Sequence, residues 1–418
     1  MIQFSAHIRC SNASLLLSTP FVQKLEMAEA LKSETLLGAE SATSRVDAGA
    51  YSAARVHSEV HKIPAPARSH YNSVQAMRAF SVIAVVLFHV AMRQREDFPH
   101  SGLGLTYPLS LMGHAGVDLF FIISGFIITS VNWNEFGNLS EIRSYLLKRF
   151  IRVYPLYWLT ALFMLPVAIS QHLDLKSGLG ALLLLPHYAS RINQVAWSLG
   201  YEILFYGIFA LFLIFPRRAL PICVSTWLLL ILANSTVPQF STHLALVQNF
   251  VRPLNLEFVF GIAIALLING KLIFSRPRLL ISLGIIGILL AAGLKHYAPN
   301  PYPEYYGHVR AMIFGLPCAL ILYGAITLEC LRKSTYPKLL LLIGDASYSI
   351  YLVHFAVIQL MMLNPFAKSI EQPWVLLAWE LFVITAALAT GVAVHLRLEK
   401  PILRGLKHRL LDSRSQGS

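Results

Sequence analysis

Arg78 and His89 stand in one apolar run, Arg78-Ala-Phe-Ser-Val-Ile-Ala-Val-Val-Leu-Phe-His89. Steps of about 100° along a helix bring the two back to within about 20° of each other, with a rise of roughly 16 Å between them. An arginine and a histidine on one face of a membrane helix are costly, and such residues mark function by default. Imidazole titrates near neutrality, so His89 suits a general base, or a carrier of a transferred group. The plainer alternative is a neutral histidine bonded to a neighbouring helix and an arginine whose head reaches the interface.

Other chemistry-bearing residues recur along the chain. Asp118 lies in Gly113-His-Ala-Gly-Val-Asp118-Leu-Phe-Phe-Ile-Ile-Ser124-Gly125-Phe, near the outer end of a second apolar run. It could orient an imidazole or pair with an outer arginine. Ser124 and Gly125 are small enough to let another helix approach closely. In Lys148-Arg149-Phe-Ile-Arg152-Val-Tyr154-Pro155-Leu-Tyr157-Trp158 the basic residues form one helical face, suited to phosphate or to anionic lipid. Glu202 enters an apolar segment in Trp197-Ser-Leu-Gly-Tyr201-Glu202-Ile-Leu-Phe-Tyr206. Ser347, Tyr351 and His354 make a polar stripe at i, i+4 and i+7 that should face the bundle interior. Glu399-Lys400-Pro401 reads as a helix stop with a local ion pair. The cysteines at 10, 223, 318 and 330 have no metal-ligand spacing, so no metal site and no disulfide framework is expected.

The elements that must position these residues are membrane helices. Of 418 residues, 56% are hydrophobic and only 13% charged, against about 25% charged in soluble domains. The mean hydropathy is +0.59. This composition predicts an all-α integral membrane protein and excludes disordered, collagenous and disulfide-scaffold classes. About ten transmembrane helices are expected, near 75–92, 114–131, 154–170, 197–215, 219–234, 254–269, 279–294, 309–328, 339–363 and 374–396. The run Leu182–Pro186 is too short to span and is expected at the outer interface or in a re-entrant segment. With both termini inside, 26 of the 34 Lys and Arg residues fall on the cytoplasmic side, which the positive-inside rule favours. That asymmetry accounts for most of the net charge of +13 without nucleic acid. Residues 1–72 are polar and mixed in charge, and are expected to be a cytoplasmic, disordered and dispensable tail. Residues 73–400 form the membrane domain, and 401–418 a basic cytoplasmic tail. Tyr297, Tyr302, Tyr305 and Tyr306, in an outer loop, suit sugar stacking or interfacial anchoring.

Taken together, Arg-x10-His, GVDLFFIISGF, RVYPLYW, WSLGYE, GDASYSIYLVH and the closing Glu-Lys-Pro resemble, in order, the acyltransferase-3 family of bacterial integral membrane acyltransferases. The resemblance covers about 73–404. One departure is Gly200-Tyr201, where Ser-Val or Ser-Tyr is commoner. The resemblance implies a multi-pass protein of the bacterial inner membrane that transfers an acyl group, acetyl by expectation, from cytoplasmic acyl-CoA to a carbohydrate hydroxyl. Acyl-CoA is then a substrate, and no cofactor is held permanently. Arg78, Lys148, Arg149 and Arg152 would meet the CoA phosphates. His89 would do the chemistry, with Glu202 or Asp118 holding its tautomer. A transporter or flippase of a lipid-linked saccharide is the alternative, since it too needs spans, buried polar groups and a basic rim.

Overall fold

The computed structural model describes residues 71–97, 112–236, 245–297, 307–331, 334–364, 370 and 372–410. The expected tail, up to residue 70, and Tyr302, Tyr305 and Tyr306 lie outside the described residues. The described chain is all-helical. Its main helices are α1 (Asn72–Asp97), α2 (His114–Val131), α3 (Leu139–Ser170), the short α4 (Leu175–Leu182), α5 (Trp197–Leu213) and α6 (Leu220–Thr236). They are followed by the short α7 (Ala245–Phe250), α8 (Leu256–Asn269), α9 (Pro277–Tyr297), α10 (His308–Leu331), α11 (Lys338–Asp345), α12 (Ser347–Met362) and α13 (Pro373–Leu410).

Eight helices among the described residues are long and apolar enough to cross a membrane. The pair α11 and α12, bent by 75°, makes a ninth if taken as one span, and α2 is a shorter apolar helix. Outward-facing apolar side chains such as Phe163 and Leu290, 74% and 69% exposed, present the surface that a bilayer would cover. Buried polar residues, Asp118, Glu257, His354 and Glu399 among them, point inward.

Two boundaries differ from expectation. The third span was expected to begin at 154, yet α3 starts at Leu139. The Asn138 side chain accepts from Ser140 N at 3.3 Å and caps the helix. The basic face at 148–152 is therefore part of the spanning helix rather than a loop. Glu399-Lys400-Pro401 does not stop a helix either. The chain passes through a π turn at His395–Glu399 and continues as Lys400–Leu410, so the start of the expected basic tail is helical. Glu399 is buried, and its ionic partner is the distant Arg152. After α4, the carbonyls of Ala181, Leu182 and Leu183 accept from Tyr157, Trp158 and Tyr154 at 2.7, 2.9 and 3.0 Å. These bonds tie the segment that begins at Leu182 to α3 and satisfy backbone groups that a non-spanning segment leaves open.

The centre of the bundle is closed by backbone-level contact between α2 and α8. A Cβ on Gly125 or Gly261 would fall under 3.0 Å from the opposing helix, against Phe258 O and Ile122 O respectively. Beside this contact Phe258 stacks on Phe205 at 4.2 Å and meets Phe121 at 4.7 Å.

Candidate active site

A cavity of about 170 Å³ is lined by α1, α2, α3, α5 and α12. Arg78, Arg149, Arg152 and Glu202 supply its charged lining. Arg149 and Arg152 are brought there by helix periodicity, being three residues apart on α3. Arg78 comes from α1, where its Nη1 donates to Gln75 Oε1 at 3.3 Å. The arginines are held by aromatic faces: Arg149 lies over Tyr145 and Tyr206 at 5.5 and 5.8 Å, and Arg152 over Tyr348 at 5.3 Å. Arg149 Nε and the hydroxyl of the cavity-lining Ser347 are buried without a hydrogen-bond partner among the described residues. A buried donor left unpaired is costly, so both favour a polar ligand in the cavity.

Lys148 is not brought in. It is exposed and does not line the cavity; it lies about 40° from Arg152, on the side away from Arg149. Glu202 also departs from expectation. It lines the cavity, accepting from Tyr206 OH and from Ser124 Oγ, the latter at 3.4 Å, and makes no contact with His89.

His89 stands beyond the cavity lining, next to His354 of α12. Their rings are 5.0 Å apart, and His354 Nε2 is 3.2 Å from His89 Nδ1. His354 Nδ1 lies 2.8 Å from Tyr351 O and 3.1 Å from Ile350 O. Carbonyls only accept, so this nitrogen carries the proton and Nε2 is left as an acceptor. His89 Nδ1 is 2.9 Å from Val85 O and therefore also carries a proton, shared with His354 Nε2. The remaining nitrogen of His89, Nε2, keeps its lone pair available to receive a proton. A neighbouring imidazole and a backbone carbonyl thus set the tautomer, in place of Glu202 or Asp118. The polar stripe of α12 links this pair to the cavity: Ser347 and Tyr351 line the cavity, and the Tyr351 ring is 5.7 Å from that of His354. Tyr351 OH is fixed by Ser198 Oγ at 2.7 Å and Val195 O at 2.9 Å.

Asp118 takes the second of its expected roles. Arg310 Nη2 and Nε approach its Oδ1 at 2.8 and 3.0 Å. Glu257 sits beside this pair, fully buried, with Gly315 providing the room for its side chain. The sequence reading passed over Glu257, although a carboxyl in the apolar run Leu256–Phe260 was the signal.

Comparison with known proteins was consistent with this architecture. The family model described as acyltransferase domain matches residues 71–396. The exopolysaccharide production protein ExoZ of Rhizobium meliloti (strain 1021) is 29% identical over 338 residues, covering 76% of this chain and 95% of that protein. The acyltransferase MdmB of Streptomyces mycarofaciens is 24% identical over 375 residues, covering 81% and 92%. A shorter match, 29% over 91 residues, covers 21% of this chain and 12% of the peptidoglycan O-acetyltransferase OatA of Listeria monocytogenes. No solved structure was found to match the chain. With the family model spanning the whole bundle from α1 to the π turn of α13, the chain belongs to the acyltransferase-3 family and is a multi-pass membrane O-acyltransferase.

Proposed function

We propose that this O-acyltransferase moves an acyl group, acetyl in the simplest case, from cytoplasmic acyl-CoA to a hydroxyl of a cell-surface or lipid-linked carbohydrate. The observation that carries this reading is the meeting of Arg78, Arg149 and Arg152 in one cavity whose far side adjoins the histidine pair. Guanidinium forks suit phosphate oxygens, and the donor is rich in phosphate. The acceptor class follows from the names of relatives that produce exopolysaccharide or O-acetylate peptidoglycan.

The donor's phosphates rest on the arginines, and its thioester extends along α1 towards His89. His89 Nε2 takes the proton of the acceptor hydroxyl as the oxygen attacks the thioester carbonyl. The carbon–sulfur bond breaks, and the proton passes to the leaving thiolate. In the other order, Nε2 attacks the thioester carbonyl, the carbon–sulfur bond breaks and CoA leaves as the thiolate; the acceptor oxygen then attacks the acyl group on Nε2, the nitrogen–acyl bond breaks and the hydroxyl proton passes to the thiolate. Both routes use the same nitrogen and the same tautomer.

Donor contact is tested by Arg149→Gln with Arg152→Gln, assayed on purified protein by consumption of acyl-CoA in the presence of a panel of glycans. The KM for acyl-CoA is expected to rise at least tenfold, since a charge-assisted bond contributes about 1.5–3 kcal/mol. The KM for the acceptor should change far less. An unchanged donor KM at matched yield would leave these arginines with an anchoring role only.

The same reading needs both termini on the donor side of the inner membrane. Reporter fusions after Arg218 and Arg278 are expected to be cytoplasmic, and fusions near Lys176 and Asn300 periplasmic. Reversal at two of these sites would put the arginine cavity on the side where acyl-CoA is absent.

A further inference from the structure

Glu399 opens the closing Glu-Lys-Pro, three residues past the end of the family-model match, and lies outside the cavity lining, yet it is only 1% exposed. Three donors converge on its carboxylate. Arg152 Nη1 donates to Oε1, while Ser349 Oγ donates to Oε2 at 2.6 Å. His395 Nδ1 approaches Oε2, also at 2.6 Å. The donors come from α3, α12 and α13, so the carboxylate joins the helix that carries Arg152 to two others. The π turn at His395–Glu399 keeps His395 and Glu399 on the same inward side of α13.

The need for such a group follows from the cavity's charge. Arg78, Arg149 and Arg152 share one small space, and Arg78 and Arg152 repel each other. Inside a bundle like charges repel more strongly than in water. Without a counter-charge behind it, Arg152 gains by swinging out towards solvent. Its side chain is 30% exposed, so that route is open. Among the described residues the ring of Tyr348 would then be left to hold it, through a weaker contact.

We propose that Glu399 is a positioning residue for donor recognition: it fixes the Arg152 guanidinium in the cavity wall, with Ser349 and His395 fixing Glu399 in turn. The proposal rests on the cavity being the donor site. Loss of Glu399 should weaken donor binding while leaving the chemical step at His89 intact.

The test is a set of variants in purified, lipid-reconstituted full-length protein: Glu399→Gln, Arg152→Gln, the two combined, and Ser349→Ala. Donor KM, acceptor KM and kcat are measured for each at matched thermal stability. Glu399→Gln is expected to raise donor KM about tenfold, with kcat and acceptor KM within about twofold of the parent. The combined variant is expected to be no worse than Arg152→Gln alone, because both changes remove one interaction. Ser349→Ala keeps the charge but loosens it, and should raise donor KM by a smaller factor. A fall in kcat with donor KM unchanged, or additive effects in the combined variant, would overturn the proposal. If Arg152→Gln raises donor KM and neither Glu399→Gln nor Ser349→Ala does, positioning by Glu399 is wrong while the donor site stands. If Arg152→Gln itself leaves donor KM unchanged, the donor-site reading fails and the proposal with it.

Discussion

His89→Ala is expected to lower turnover by at least about 10²–10⁴-fold, the contribution of a general base. Donor KM should stay within a few-fold of the parent, because the proposed phosphate contacts lie roughly 16 Å away along α1. Arg78→Ala should do the opposite, raising donor KM while the chemical step survives in bound complexes. His354→Asn is expected to fall between them. It leaves His89 Nδ1 to Val85 O alone, which loosens the ring and its tautomer without removing the reactive nitrogen. Steady-state kinetics on protein matched for membrane insertion separates these outcomes. If His89→Ala keeps near-normal turnover and His354→Asn does not, the reactive histidine is on α12. If both keep turnover, acyl transfer in this protein does not run through a histidine.

Gly261→Val is expected to eliminate folded protein rather than tune it. The α2–α8 contact brings Gly261 against Ile122 O and Gly125 against Phe258 O, backbone to backbone, so no flexible side chain can yield. Overpacking a yielding core already costs about 1–3 kcal/mol, a large part of a typical stability margin. Separating α2 from α8 would also pull Phe121 away from Phe258. Gly207→Val is the control, because a Cβ there meets nothing within 4 Å. Yield and monodispersity after detergent extraction should collapse for the first substitution and hold for the second. Equal behaviour of the two would show that the α2–α8 crossing is looser than its geometry implies.

What could be read from the sequence divides along one physical line. Features set within a single helix were legible. The register of Arg78 with His89, the pairing of Arg149 with Arg152, and the inward stripe of Ser347, Tyr351 and His354 all follow from the helical period. Ser124 and Gly125 could be recognised as a place of close approach from their size alone. Features set by which helices meet were not legible. Arg152 and Glu399 are separated by 247 positions, and no local pattern links them; read locally, Glu399 could only pair with its neighbour Lys400. The partner of His89 was sought among carboxylates, because a carboxylate is the usual third group. The fold supplies His354 and a carbonyl instead. Lys148 shows the same limit: helical spacing puts it on one face with Arg152, and only the neighbouring helices decide which part of that face they cover.

The cluster of Asp118, Glu257 and Arg310 bears on the order in which the chain can assemble. Its members belong to α2, α8 and α10, and Arg310 reaches the ribosome's exit last. Until α10 is made, two carboxyl groups destined for the middle of the bundle have no guanidinium to face. The tight α2–α8 seam runs between those same carboxyl-bearing helices, and the guanidinium that answers their charge comes from a helix later in the chain than both.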